Sequence, residues 1–173
     1  MVIKMYTEPL IVLCDYIFTM ERKHRCLELW FPIVTGIICG VYLYKHDIDT
    51  YVIVEHVQSI ITTLLGFTLA AMAIFIAGGD KCERTKEYAT DKTLRGKTCT
   101  LYDLMMLNYS YQVIVEFVLC VAYIIGLCLP NLLPSWLATG MNVLYIVFAL
   151  SVSLSTLRSV TDLYWIFIAK NRE

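Results

Sequence analysis

The segment Val57–Ala77, VQSIITTLLGFTLAAMAIFIA, decides the fold because its 21 residues contain no charged side chain. At about 1.5 Å of rise per residue, a helix of this length spans roughly 32 Å, which matches the hydrocarbon core of a bilayer. Segments 27–44 and 109–129 each contain a single Glu, and segment 137–157 contains no charge. The sequence therefore predicts an all-α polytopic membrane protein with four transmembrane helices, numbered here helix one to helix four.

The basic residues indicate how these helices are oriented. Of the 14 Lys and Arg residues, all but Lys45 lie before helix one, between helices two and three, or from the end of helix four onward. Short connections rich in Lys and Arg stay in the cytoplasm. We therefore expect a multi-pass plasma-membrane protein with both termini and the 78–105 loop in the cytoplasm.

The segments outside the four helices contain two further helical signals. Thr7-Glu8-Pro9 is typical of a helix start, so we predict a short amphipathic helix over 9–20 that lies on the cytoplasmic face. A re-entrant segment is the alternative. Helix four keeps an apolar face beyond Arg158, which predicts that it continues at the cytoplasmic interface to about residue 169. The chain is interpreted as one membrane domain, 1–173.

Helix three has polar residues every fourth position, which places them on one face. A charged carboxylate facing lipid costs on the order of 3 kcal/mol or more, so Glu116 should face the other helices. We predict that it pairs with Arg158, directly or through serine hydroxyls. The face is either a structural clasp that fixes helix register, or it forms an ion or proton site or part of a pore lining. The residues concerned are Asn108, Gln112, Glu116, Ser151, Ser155 and Arg158.

Small residues form two candidate packing faces. Helix one contains a G-x-x-x-G motif, and helix two has a small residue at every third or fourth position. Small side chains let membrane helices approach closely. Either the two faces pack helix one on helix two, or one of them supports self-association into a homo-oligomer. The residues are Gly36, Gly40, Thr62, Gly66, Ala70, Ala73 and Ala77.

The 78–105 loop is the only sizeable polar connection. Together with the N-terminal helix and the end of helix four, it predicts a platform for a cytosolic protein or anionic lipid headgroups, unless these segments only anchor the protein at the membrane surface. The candidate docking residues are Lys81, Arg84, Lys86, Lys92, Arg95 and Lys97.

Signals for catalysis are missing from the sequence. His24, His46 and His56 are dispersed, and there is no H-E-x-x-H, no Gly-rich phosphate loop and no G-x-S-x-G motif. The seven Cys residues contain no C-x-x-C motif and no pair in an outside loop. We therefore predict a non-enzyme without metal, cofactor, catalytic residues or direct binding of nucleic acid.

The run Leu64–Ile74, LLGFTLAAMAI, followed by a basic loop and a polar-faced third helix, resembles small four-span membrane subunits of bacterial anti-phage systems of the Kiwa type. The resemblance implies a homo-oligomeric inner-membrane protein that senses infection and works with a cytosolic effector. Two functions remain open at this point. The first is a membrane sensor or scaffold that docks a cytosolic partner, and the second is a pore or ion channel that depolarises the membrane.

Overall fold

Four membrane-crossing helices dominate the part of the chain that the structure describes. The structure is a computed structural model and describes residues 2–46, 50–78, 85–94, 96–128 and 135–168. The helices long and apolar enough to cross a membrane are Arg22–Leu43, Tyr51–Ala77, Leu101–Cys128 and Leu137–Tyr164. The prediction of a mainly helical, multi-pass membrane protein is therefore confirmed.

The helices extend beyond the charge-free segments that predicted them. In chain order the elements are α1 (Val2–Thr19), α2 (Arg22–Arg25), a π-helical turn (Cys26–Trp30), α3 (Phe31–Lys45), α4 (Thr50–Ala77), β1 (Ala89–Leu94), β2 (Lys97–Thr100), α5 (Leu101–Cys128) and α6 (Ser135–Ile168). Helix one comprises α2, the π-helical turn and α3, and helices two, three and four are α4, α5 and α6. Absence of charge marks the part of a helix inside lipid, whereas the helix itself continues into polar sequence at its ends.

The start of α5 shows how a polar signal sets a helix boundary. The Thr100 hydroxyl accepts a hydrogen bond from the Asp103 backbone N–H, at 3.2 Å, and the Asp103 carboxylate accepts one from the Thr100 N–H, at 3.0 Å. This reciprocal pattern is a capping box, which satisfies backbone donors that a helix start leaves free. The third helix therefore begins at Leu101, and not at Tyr109 as the hydropathy of the segment predicted.

A β-hairpin occupies much of the connection that the sequence indicated only as a loop. β1 and β2 pair antiparallel, with Leu94 opposite Lys97 at the turn. Gly96 in this turn has a φ of 80°, a conformation that glycine adopts without steric cost. The end of the bundle where α4 finishes and α5 begins is called the hairpin end below.

The helix bundle is built on α6. α4, α5 and α6 pack against one another, and α3 packs against the remaining side of α6. Ile61, Leu119 and Val152 are buried where the first three of these helices meet. At the same contact, the Gln58 amide bonds to Cys120 of α5 and accepts a hydrogen bond from Tyr145 of α6. Polar side chains therefore connect α4 to α5 and α6 inside the bundle.

The N-terminal helix differs from its prediction in extent and in position. α1 begins at Val2, and Pro9 lies inside it. A proline inside a helix removes the hydrogen bond to the carbonyl four residues earlier and crowds that carbonyl, which kinks a helix but does not always end it. The second half of α1 packs on the flank of α5, where Tyr16 and Met20 are buried with Tyr111. The expected surface helix therefore contributes to the interior.

Candidate functional site

The charged centre of the bundle is an ion pair between Glu28 and Arg158. Their side chains approach at 3.2 Å between Oε1 and Nη1, and the Glu28 side chain is only 4% exposed. Glu28 lies in the π-helical turn, a rare geometry that often occurs at functional sites. The Ser151 hydroxyl also donates a hydrogen bond to the Glu28 backbone carbonyl. The pair therefore fixes helix one to helix four.

Tyr16 connects α1 to this ion pair. Its hydroxyl donates to Glu28 Oε2 at 2.6 Å and accepts from Arg158 Nη2 at 2.7 Å. Its ring stacks on Tyr111, with the centroids 3.7 Å apart. Burial raises the pKa of Tyr16; Arg158 opposes this rise, and Glu28 adds to it. The phenol therefore remains protonated and able to donate to Glu28.

The predicted polar face of helix three lies inside the bundle. Arg158 Nη2 donates to Asn108 Oδ1 at 3.0 Å. Gln112 Nε2 donates to Ser155 at 3.0 Å and to Ser159 at 2.6 Å, and it is fully buried. These contacts place four of the predicted residues, Asn108, Gln112, Ser155 and Arg158, in one network, and Ser151 joins it through the Glu28 carbonyl.

Glu116 is separate from the ion pair. Its Oε1 accepts hydrogen bonds from Thr68 of α4, at 3.1 Å, and from Thr156 of α6, at 3.5 Å. The predicted Glu116–Arg158 pair is therefore wrong, because the Arg158 guanidinium is directed to Glu28, Tyr16 and Asn108. Glu28, in the π-helical turn, lies beside Arg158 and provides its negative partner in place of Glu116.

Sequence reasoning missed five residues of the interior network, which are Tyr16, Glu28, Thr68, Thr156 and Ser159. A signal existed for Glu28, because it is the one charge in segment 27–44. Arg158 lies at the C-terminal end of helix four, and Glu28 lies at the N-terminal end of helix one. These two ends are adjacent when the helices pack antiparallel. The other four residues carry no signal that distinguishes them from ordinary polar residues.

A cavity of about 350 Å³ lies at the hairpin end, next to the network. Its polar lining includes Asn108 and Arg158 together with Glu21, His24 and Lys92. The Glu21 carboxylate oxygens lie 3.8 Å from His24 Nε2 and from Lys92 Nζ, and because the Glu21 side chain is 59% exposed, these contacts contribute little to stability. At the wall of the cavity, these contacts join His24 of α2 to Lys92 of β1 through Glu21.

The two predicted packing faces have different environments. Gly36 and Gly40 face α6: a Cβ on Gly36 would overlap the Val147 Cγ2 methyl, and one on Gly40 would lie 2.8 Å from Val143 Cγ2. The G-x-x-x-G motif therefore packs helix one on helix four, and not on helix two. On α4, a Cβ at Gly66 would meet nothing within 4 Å. The whole predicted face of α4 is exposed, at Thr62, Gly66, Ala70, Ala73 and Ala77.

The predicted docking residues are described only in part, because Lys81, Arg84 and Arg95 lie outside the described residues. Lys97 is exposed, and so is Lys86, whose ammonium lies 5.1 Å from the centroid of the Tyr102 ring. Lys92 is half-buried beside Glu21. All three lie on or next to the hairpin, so the hairpin end presents cations from a folded element.

Comparisons with known proteins give no relative for this chain: no family model, curated protein or solved structure matches it.

Proposed function

We propose that the chain is a non-enzymatic membrane scaffold or sensor that docks a cytosolic protein at its hairpin end and assembles as a homo-oligomer. One observation supports this proposal above others. Polar side chains of α5 and α6 bond to one another inside the bundle, whereas exposed charged groups gather around the hairpin. By the distribution of Lys and Arg, that end and both termini face the cytoplasm.

The docking surface that we propose combines α2 with the hairpin. Its exposed cations in the described part of the chain are Arg22, Lys23, Lys86 and Lys97. Exposed acids, among them Glu87 and Asp91, alternate with these cations. Recognition would therefore depend on a pattern of charges that complements the partner, which favours specificity and a fast association rate more than affinity.

The geometry favours a scaffold over a pore. A pore needs a polar surface that is open to water, whereas Asn108, Gln112 and Glu116 are at most 8% exposed. Hydroxyl groups from α4 and α6 occupy the positions next to these side chains. This filled arrangement fits the clasp alternative for helix three.

Self-association is assigned to the exposed face of α4. In lipid, helices associate through close packing, and small residues permit that approach. α4 buries its opposite face, with Ile61, Thr68 and Phe75, inside its own bundle. The face that carries Gly66 remains available to a second copy of the chain.

The biological setting follows from the resemblance to membrane subunits of Kiwa-type anti-phage systems. It favours a location in a bacterial inner membrane and a role in defence against phage infection, with an effector as the docked partner. Both belong to the proposal.

Charge reversal at the hairpin end tests the docking proposal. The double variant Lys86→Glu with Lys97→Glu should lose a soluble protein that co-purifies with the tagged wild type from native membranes. We expect the affinity for this protein to fall at least tenfold, and a tenfold change corresponds to about 1.4 kcal/mol of binding free energy. Quantitative mass spectrometry of the purified material gives the measurement.

Lys45→Glu is the matched control, because Lys45 is exposed at the opposite end of the bundle. It should retain the partner at the wild-type amount. Equal recovery from the double variant and the wild type would contradict docking at this surface, as would the absence of any soluble protein at stoichiometric amounts.

A further inference from the structure

The bundle contains two buried carboxyl groups in unlike environments. Glu28 is 3% exposed and has a guanidinium partner. Glu116 is 0% exposed, and its hydrogen-bond partners in the described part of the chain are two neutral hydroxyls. An ionised carboxylate away from water is costly unless a charge partner compensates it. The two groups should therefore differ in charge.

The ionisable groups on the surrounding helices lie away from Glu116. On α4, which contributes Thr68, the ionisable residues Tyr51, Glu55 and His56 are at least twelve positions before Thr68. On α6, which contributes Thr156, Tyr145 bonds to Gln58, and Arg158 is directed to Glu28. The other ionisable side chains of α6 in the described residues, Asp162 and Tyr164, lie closer to its hairpin end.

On α5 itself, Cys120 is one turn further along the helix and accepts a hydrogen bond from Gln58. Tyr111, five positions earlier, stacks on Tyr16. Asp103 caps the start of the helix through Thr100. Tyr109 and Tyr123 lie two turns to either side of Glu116, and Tyr102 and Cys128 lie further away along α5. Among the described residues, the groups that bond to Glu116 are therefore neutral.

Among the described residues, two buried oxygen atoms on this part of α5 have no hydrogen-bond partner: Glu116 Oε2 and Gln112 Oε1. The residues are four apart on α5, so they share one face, about 6 Å apart along the helix axis. Gln112 uses its Nε2 for serines of α6 and for Asn108, which leaves its oxygen as an acceptor. An ionised Glu116 is also only an acceptor. One added proton on Glu116 would supply the donor that this pair of oxygens lacks.

We propose that Glu116 is a proton-binding site at the contact of α4, α5 and α6. In this site the carboxyl group is protonated, and its Oε2 hydroxyl donates to Gln112 Oε1, directly or through one water molecule. Oε1 accepts from Thr68 and Thr156 and so fastens α4 to the other two helices. Loss of the proton would place an uncompensated charge in this contact and loosen α4. The site is a property of the bundle and does not depend on the scaffold proposal.

Infrared difference spectroscopy of the purified protein in lipid nanodiscs tests the site. A protonated carboxyl has a C=O stretching band well above the bands of a carboxylate. That band should be present in the wild type near neutral pH and should disappear as the pH rises. It should be lost in Glu116→Gln and retained in Glu28→Gln, the matched control, because the Glu28 carboxylate is paired with the Arg158 guanidinium. An acid band of equal size in the wild type and Glu116→Gln would overturn the proposal.

A second measurement on the wild type assigns the residue and does not require the variant to fold. Dicyclohexylcarbodiimide is an apolar reagent that adds to protonated carboxyl groups in lipid-embedded proteins. Peptide mass spectrometry should find the adduct on Glu116 and not on Glu28, with yield falling as the pH rises. Modification of Glu28 in place of Glu116 would contradict the assignment. Loss of the infrared acid band on adding Na⁺ at constant pH would also contradict it, since a metal ion would then neutralise the carboxylate.

Discussion

Arg158→Gln should lower the free energy of unfolding by about 3–5 kcal/mol, the cost of leaving one member of a buried ion pair without its partner. The remaining charge, Glu28, is almost completely buried and, among the described residues, would keep only the Tyr16 hydroxyl as a side-chain donor. Glu28→Gln should cost less, about 1–3 kcal/mol. In that variant Arg158 retains Tyr16 and Asn108 and borders the cavity at the hairpin end.

A double-mutant cycle in detergent micelles measures this pair through the unfolding free energies of the two single variants and the double variant. The double variant should be clearly more stable than the sum of the single effects predicts, because it removes both charges together. Glu116→Gln combined with Arg158→Gln is the comparison cycle, and its coupling energy should be smaller than that of Glu28 and Arg158, because no hydrogen bond joins these two side chains directly. Coupling of Arg158 to Glu116 instead of Glu28 would refute the arrangement of the network.

Gly36→Ala should destabilise the folded bundle by about 1–3 kcal/mol, the usual cost of overpacking an interior contact. Its new methyl group would overlap Val147 of α6. Adding Val147→Ala to this variant should restore part of the loss, because it removes the methyl groups that cause the overlap. Thermal unfolding of the wild type and the variants under the same conditions measures both effects. No loss on Gly36→Ala would contradict the close approach of helices one and four.

The control for this substitution lies on α4. Gly66→Ala has open space around its Cβ, and alanine favours a helix over glycine by roughly 0.5–1 kcal/mol, so stability should be unchanged or slightly higher. Gly66→Leu should likewise leave the single bundle folded but reduce self-association, measured by crosslinking in membranes at fixed expression. Unchanged self-association would remove α4 as the proposed oligomer interface.

The sequence was most informative about where the chain crosses the membrane. A long apolar segment such as Val57–Ala77 is unfavourable in water. Hydropathy and length alone therefore identify the four spans, without knowledge of how the helices pack. The burial of Asn108, Gln112 and Glu116 was also predictable, since polar groups in a membrane helix must face other helices. Both predictions need only the preference of apolar side chains for lipid and the spacing of residues along a helix face.

Hydropathy and the helical repeat do not predict which polar side chains pair with one another inside the bundle. Glu116 and Arg158 lie at similar predicted depths, but the rotation of each helix and the π-helical turn at Glu28 bring a different pair together. Tyr16 was missed because a surface-lying α1 would have no access to the interior. The hairpin was missed because a polar segment shows little hydrophobic alternation, even though Gly96 marks its turn.

The side of the membrane on which the hairpin lies is the most direct test of the whole account. A specific protease site inserted in the turn, next to Gly96, can be challenged with protease added to intact spheroplasts or to inverted membrane vesicles. Cleavage should occur only in inverted vesicles, where the cytoplasmic face is outside. Cleavage from the outside of intact spheroplasts would contradict a hairpin end that docks a cytosolic partner.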